Sequence, residues 1–329
     1  MKNMTVIKAI ATFTFIFLTC PRYSYSADLF HSQYTLGDTT DKINFKDLKT
    51  GVSLNKRDLY WPYLNESAKS SSLDFDFHHR YQKGPTFKFK YSQAALQYSK
   101  IIKERHHILL KGGLYHYDEE GPRESDTRLS AEAKLQSKLP HAINTSLTLA
   151  RGLMVNEIFL TGQGLRNLEA TKVDLRVSKQ FWENKLTVKI DYNTHFLKED
   201  NKRTYFDGEI MYALMTYPHW IRVGFGHHTL DYTQSSSSYW SPLDFYAFGP
   251  RVDLSFVLKE VWQLYLGGNY SWFEENQTFK GDGYYMRTGL KYGLREDLNF
   301  DLAYERNESI QNNNSWVGES LSLSAFYFF

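Results

Sequence analysis

The stretch from Trp262 to Trp272 constrains the fold of this chain more than any other. Trp262, Leu264, Leu266, Gly268, Tyr270 and Trp272 alternate with Gln263, Tyr265, Gly267, Asn269 and Ser271. A β-strand points successive side chains to opposite faces, so one face here is apolar and the other polar. At roughly 3.4 Å per residue the span is about 34 Å along the strand. Tilted by about 40° it projects to about 26 Å, close to the ~25 Å apolar band between the aromatic girdles of outer-membrane barrels. A sandwich strand explains the alternation but not that length with rings at both ends. Trp262, Tyr270 and Trp272 are therefore expected in an aromatic girdle.

The same period recurs. Val173, Leu175 and Val177 alternate with Lys172, Asp174 and Arg176; Leu186, Val188, Ile190 and Tyr192 alternate with Lys189, Asp191 and His195. Tyr284, Met286, Leu290 and Tyr292 alternate with Tyr285, Arg287 and Lys291. Leu298, Phe300, Leu302 and Tyr304 alternate with Asp301, Ala303 and Glu305. This explains a composition that is otherwise contradictory: 16% aromatic residues with a mean hydropathy of −0.51. A disordered chain lacks the rings, and a helical membrane protein would be less polar. The alternation predicts an all-β, transmembrane, antiparallel up-and-down barrel.

A charge on every second residue is costly against lipid or a packed core and cheap against water, so the polar face is expected to line the lumen. The expected pore-lining side chains are Lys172, Asp174, Arg176, Lys189 and Asp191, then Asp207, Glu209, Arg222, Tyr265 and Tyr285, then Arg287, Lys291, Asp301 and Glu305. Lys88, Lys90, Arg128, Lys134, Asp74, Asp76, Glu132 and Asp253 are expected to point inward as well. Cross-strand ion pairs that hold the barrel and a selectivity surface for a polar solute are both compatible with this face.

The connections alternate in length. Long polar segments occupy 118–126, 197–204, 233–242, 274–282 and 306–315, and tight links occupy 138–142, 181–184, 217–219, 259–261 and 293–296. Long external loops and short periplasmic turns give this asymmetry. Twelve strands are expected from about Arg105 to Phe329 and two more over Ser71–Ile102. A last, weakly patterned pair is expected within Asp28–Tyr60. The total is sixteen, with fourteen as the alternative. An even number places both termini in the periplasm.

Both ends of the chain carry signals. Lys2 and Lys8 flank the start of an apolar stretch, Ala9–Thr19, that is too short for a bilayer span. Ser24-Tyr25-Ser26 supplies small residues at a signal-peptidase spacing, so residues 1–26 are expected to be a secretory signal and 27–329 the barrel. The signal contains three of the 39 basic residues and no acid. The remainder thus has 36 basic against 37 acidic residues, a balance that offers nothing to nucleic acid. The single cysteine, Cys20, lies in the signal. At the other end Phe329, Tyr327 and Leu323 share one face, with Ala325 and Leu321 between and behind them. This resembles the signature read by the barrel assembly machinery. A soluble protein that ended in AFYFF would expose an aromatic edge strand.

Catalytic motifs are absent: there is no GxSxG, HExxH, Walker loop or CxxC. The pairs His78-His79, His106-His107 and His227-His228 cannot chelate from one strand face, because adjacent side chains diverge. His227, His228 and Asp231 are expected near the rim, where barrel proteases keep an Asp/His cluster. The expectation is a barrel without enzymatic activity, cofactor or metal.

DYTQSSSSYWSPLDFYAFGPRVDLSF (231–256) resembles a segment of the C-terminal barrels of exopolysaccharide-export porins, the poly-N-acetylglucosamine and cellulose export types. WQLYLGGNYSWFEEN (262–276) and GDGYYMRTGLKYGLREDLNFDLAYERN (281–307) resemble the strand and hairpin that follow it. The resemblance covers about 100 residues, and Tyr239-Trp240-Ser241-Pro242 is its most specific part. It implies a sixteen-strand barrel that passes a nascent sugar polymer. The family's N-terminal helical repeats are missing, so a separate periplasmic repeat protein is an implied partner. Outer-membrane lipid, lipopolysaccharide and the barrel assembly machinery are the other expected partners.

The reading is therefore an outer-membrane channel for export of a polysaccharide or similar polar polymer. A general small-solute porin and a non-transport structural barrel are the alternatives. Deleting Phe329 is expected to leave the protein in the periplasm; normal membrane fractionation of that variant would refute the reading of the C-terminus.

Overall fold

The computed structural model describes residues 29–54, 71–103, 105–120, 124–155, 157–158, 164–182, 185–198, 200–216, 218–293, 298–311 and 314–328. The signal segment and Phe329 lie outside them. Sixteen strands form one closed barrel. They are β1 (Leu29–Thr39), β2 (Asn44–Leu54), β3 (Ser71–Lys83), β4 (Lys88–Ile102), β5 (His106–Glu120), β6 (Glu124–Leu139), β7 (Ile143–Leu153) and β8 (Glu169–Phe181). Then come β9 (Leu186–Leu197), β10 (Lys202–Met215), β11 (Trp220–Tyr232), β12 (Phe245–Leu258), β13 (Trp262–Glu275), β14 (Phe279–Tyr292), β15 (Leu298–Gln311) and β16 (Asn314–Phe328). Each pairs antiparallel with its sequence neighbours, and β1 closes on β16 from Leu29↔Phe328 to Thr39↔Gly318. The weakly patterned N-terminal pair is thus β1 and β2, and the first strand begins at Leu29.

The ladders divide every strand into two faces. On one, large apolar side chains stand exposed all around the barrel, among them Phe75, Leu96, Leu114, Leu149, Ile190, Phe225, Leu264 and Leu302. Register aligns them across strands: Phe75 faces Leu96, Leu147 faces Leu175, and Leu264 faces Leu290. An apolar belt of this extent on a closed sheet is stable only in a bilayer, and a closed sheet is one of the two folds that can cross one. The protein is a transmembrane barrel of the outer-membrane type. Trp262, Tyr270 and Trp272 stand on this exterior face; Trp262 packs on Tyr292 at 4.5 Å between centroids, and Trp272 on Phe248 at 5.5 Å. Tyr327 faces Phe30, and Leu323 faces Tyr34, across the closing ladder.

The expected long connections need correction. β5 and β6 run to Glu120 and from Glu124, so most of 118–126 is strand. The same holds for 274–282 and 306–315, and half of 197–204 is strand. Only 233–242 is a true excursion, within the β11–β12 connection. A second long connection, 154–168 between β7 and β8, was unmarked in the sequence because Met154, Val155, Ile158, Leu165 and Leu168 look like strand residues. The expected inward placement of Lys88 and Lys90 is also wrong. They face Lys83 and Tyr81 in the ladder, on the same side as Phe75 and Leu96, and so point outward. Above the belt the outer face of β4 meets water while its inner face carries Phe89 and Tyr91, buried inside the barrel, so the hydropathy of the two faces is reversed there.

The belt generates one expectation. Leu264→Arg puts a charge on the exterior of β13 and should destabilise the folded barrel by about 2–4 kcal/mol, whereas Asn269→Arg on the opposite face should cost far less. Urea titration of the barrel in vesicles checks both.

Candidate functional site

The lumen is the candidate site. All fourteen expected pore-lining residues lie on the face opposite the apolar belt. The structure joins most of them into pairs. Asp174 holds Lys172 (3.4 Å) and Arg176 (3.1 Å), and Lys189 holds Asp191 (2.9 Å). Arg222 bonds Asp253 at 3.0 Å, Arg287 approaches Glu305 at 3.3 Å, and Lys291 lies 3.9 Å from Asp301.

Some of these contacts skip a strand, and glycine permits it. Arg251 on β12 crosses β11 to donate to Asp207 and to Glu209 (2.6 Å) on β10. Its path runs over Gly226, where a Cβ would sit 2.0 Å from the Arg251 Nε. Tyr265 on β13 crosses β14 over Gly289 and donates its hydroxyl to Asp301 on β15 at 2.8 Å. A Cβ at Gly289 would meet that hydroxyl at 2.3 Å. The side chains therefore lie flat along the wall instead of projecting into the bore.

The loop end of the other half of the lumen is occupied. Described residues of the 154–168 connection pack inside the loop end of the barrel. Leu165 and Leu168 are fully buried in a cluster with Phe89, Tyr91, Tyr115, Tyr117, Leu230 and Tyr232. These partners come from the inner faces of β4, β5 and β11, so the segment reaches across the mouth. Two carboxylates anchor it. Glu119, fully buried at the end of β5, accepts the backbone N–H groups of Gly164 (2.8 Å) and Leu165 (2.9 Å). Glu157 in the connection accepts from Lys172 (2.8 and 3.0 Å) and from His195 Nε2 (3.0 Å).

The tautomer of His195 follows from its neighbours. Arg203 Nη1 lies 3.0 Å from His195 Nδ1, and an arginine can only donate. Nδ1 is then the acceptor, and Nε2 carries the proton given to Glu157. Burial opposes ionisation of Glu157, but the His195 hydrogen bond and the Lys172 charge outweigh it and lower the carboxyl to about 2. A depressed carboxyl contributes its tie above its ordinary range and loses it as the pH falls through the lowered value. This tie therefore survives ordinary acidification.

The β11–β12 connection supports the same end. Asn201 donates to Tyr239 Oη (2.8 Å) and to the Gln234 carbonyl (2.9 Å), and it accepts from Thr233 (3.0 Å). Tyr239, from the YWSP segment, is almost fully buried against Tyr232.

A cavity of about 1210 Å³ runs along the β10–β14 wall. It runs from Trp240, Phe245 and Phe273 at the loop end, past Arg251, Asp253, Tyr285 and Arg287, to Trp220, Gln263 and Lys291 at the end that holds the termini. Asp207, Glu209, Arg222 and Tyr265 also line it; Lys172, Asp174, Arg176, Lys189 and Asp191 lie on the filled side. Sequence reasoning missed Arg251, Glu119, Glu157 and Arg203. Arg251 was readable from its alternation with Val252. Glu119 and Glu157 gave no signal, since each acts through a turn of backbone. The expected rim cluster does not form: His228 faces the lumen beside Tyr205 and Phe245, whereas His227 and Asp231 lie on the outer face.

A closed antiparallel barrel with an apolar exterior and a charged, partly filled lumen defines the class of outer-membrane β-barrels. No protein-family model matches the sequence, and no curated protein matches it. Solved structures do match. A bacterial polysaccharide outer membrane secretin is similar over 93% of this chain and 100% of its own, at 10% identity and a TM-score of 0.69. The monoaromatic hydrocarbon channel CymD matches over 93% and 89%, at 6% identity and a TM-score of 0.51. OccK5 (OpdH) of Pseudomonas aeruginosa matches over 93% and 100%, at 10% identity and a TM-score of 0.50. At these identities the likeness is one of fold, the outer-membrane barrel.

Removing the Glu119 carboxylate strands two buried N–H groups, at about 1–3 kcal/mol each. Glu119→Ala should therefore release the 154–168 segment and raise single-channel conductance, with Glu119→Gln intermediate. Unchanged conductance in the folded Glu119→Ala barrel would show that the segment does not restrict the lumen.

Proposed function

We propose that the protein is an outer-membrane channel that carries a polar polymer, foremost a polysaccharide, along the β10–β14 side of its lumen. The observation that carries this reading is the lining of the cavity. Aromatic rings at Trp220, Tyr265, Tyr285, Phe273, Phe245 and Trp240 alternate with charges that are already paired. Rings offer faces to the C–H surface of a sugar, as they do to other apolar surfaces. Paired charges exchange hydrogen bonds with hydroxyl groups and leave little net field to select an ion. Sixteen strands are enough to leave an aqueous bore. The segments that resemble exopolysaccharide-export barrels, 231–256, 262–276 and 281–307, build this same wall. The likeness to a polysaccharide secretin supports the same direction.

A general small-solute porin is the second reading, favoured by the in-folded 154–168 segment that narrows the mouth. On either reading Phe329, Tyr327 and Leu323 serve assembly, and the chain performs no catalysis.

The two readings separate in a planar bilayer. The refolded protein should conduct steadily and be blocked by neutral oligosaccharides with an affinity that rises with their length. Tyr285→Ala should weaken that block about fivefold. Block independent of length would favour the porin, and no conductance from a folded, heat-modifiable barrel would overturn both.

A further inference from the structure

The outer face above the apolar belt is electrically uneven, and one arc of it is basic. Lys46 on β2, Tyr81 on β3 and Lys90 on β4 form one row across the ladders. One step further from the belt Lys83 faces Lys88 directly. These side chains share the exterior face with Leu48, Phe75, Phe77 and Leu96. Glu120 on β5 pairs with Lys88. Lys46, Lys83 and Lys90 form no ion pair among the described residues. Asp118 on β5 stands opposite Lys90 in the ladder and Glu120 opposite Lys88, so four lysines on this arc face two carboxylates and the arc stays basic. Lys46 and Lys90 stand two strand spacings apart, about 10 Å, with the Tyr81 ring between them.

The adjoining arc has the opposite character. Glu274, Asp282, Glu308, Glu319 and Asp38 lie on the outer faces of β13 to β16 and β1. Lys280 and Arg306 are the cations set against them, and each is held by a carboxylate. Excess positive charge is thus densest on β2–β4, at the end of the barrel away from the termini, with Arg151 on β7 and Lys202 on β10 as isolated outer-face cations toward the same end.

We propose that this basic arc is a docking site for the phosphorylated headgroup of a glycolipid in the outer leaflet. Its position selects a lipid. The row of Lys46, Tyr81 and Lys90 lies above the belt of Phe75, Phe77 and Leu96, separated from it by the row of Leu48, His79 and Ser92, so a headgroup held there keeps its acyl chains against that belt. Lysine ammonium groups meet phosphate oxygens as mobile point charges, and the tyrosine ring suits the interface between chain and headgroup. The acidic arc beside it repels the same headgroup and restricts the site to three strands. The proposal is independent of what the lumen carries.

The test uses the full barrel in detergent micelles containing bisphosphorylated lipid A, with retained lipid counted by native mass spectrometry and folding read by heat-modifiable mobility. The native chain should retain bisphosphorylated lipid A and not the same lipid stripped of phosphate. Excess inorganic phosphate should leave the bound lipid in place. The Lys46→Gln/Lys90→Gln variant should lose about tenfold in retention, since each lysine at such a surface is worth about fivefold at most. Lys46→Arg/Lys90→Arg should retain lipid. Lys100→Gln/Lys179→Gln removes two outer lysines from the opposite end of β4 and from β8 and should change nothing. Equal retention of the dephosphorylated lipid by the native chain would overturn the proposal without any variant. Equal loss in the Lys100/Lys179 variant, or displacement by inorganic phosphate, would overturn it as well.

Discussion

Closure of β1 on β16 is the constraint on which the rest depends. An open sheet in a bilayer leaves two rows of backbone N–H and C=O groups with no water to pair them. Here the antiparallel ladder from Leu29 to Thr39 removes both edges. Once the backbone is satisfied, the two faces are free to differ. The exterior can carry an apolar belt, and the interior can hold charges on most of its strands where it faces water. The period-two sequence is the chemical record of that division.

Inside, the balance of charge is local. Arg251 satisfies Asp207 and Glu209, and Tyr265 satisfies Asp301. Single pairs of this kind contribute little to stability. Their effect is on placement, since they settle which side chains lie along the wall and which reach the bore. The two halves of the lumen then diverge. One is occupied by the 154–168 segment with its buried leucines and its two carboxylate anchors. The other keeps a continuous lined path.

Much of the fold was legible in the sequence because the bilayer imposes so regular a code. Trp262–Trp272 alone carries strand, face, length and girdle. The turns near 138–142 and 259–261 were legible too, since a short link between two alternating runs allows only a hairpin; the links at 181–184, 217–219 and 293–296 include residues outside the described ones. Legibility stopped where the bilayer stops. Lys88 and Lys90 misled because above the belt the outer face of β4 is wet while its inner face, with Phe89 and Tyr91, is apolar and buried. The 154–168 connection misled for the opposite reason: it is apolar in order to bury itself in the lumen, and an apolar loop inside a barrel looks like a strand in its wall. Glu119 and Glu157 were invisible because their partners are brought together only by that folding. His195 was placed on the inner face by alternation, but its tie to Glu157 rests on the same event.

The bonds that skip a strand have a mechanical consequence. A hydrogen-bonded ladder joins only nearest neighbours and leaves the angle between next-nearest strands to flex. Arg251 and Tyr265 each fasten the first strand of a triplet to the third, so a change in that angle must strain a side-chain bond as well. Such cross-braces stiffen the β10–β15 arc against flattening. A duct whose wall resists changes of cross-section cannot regulate flow by squeezing. Control of flow then belongs to what sits inside the duct and not to its wall.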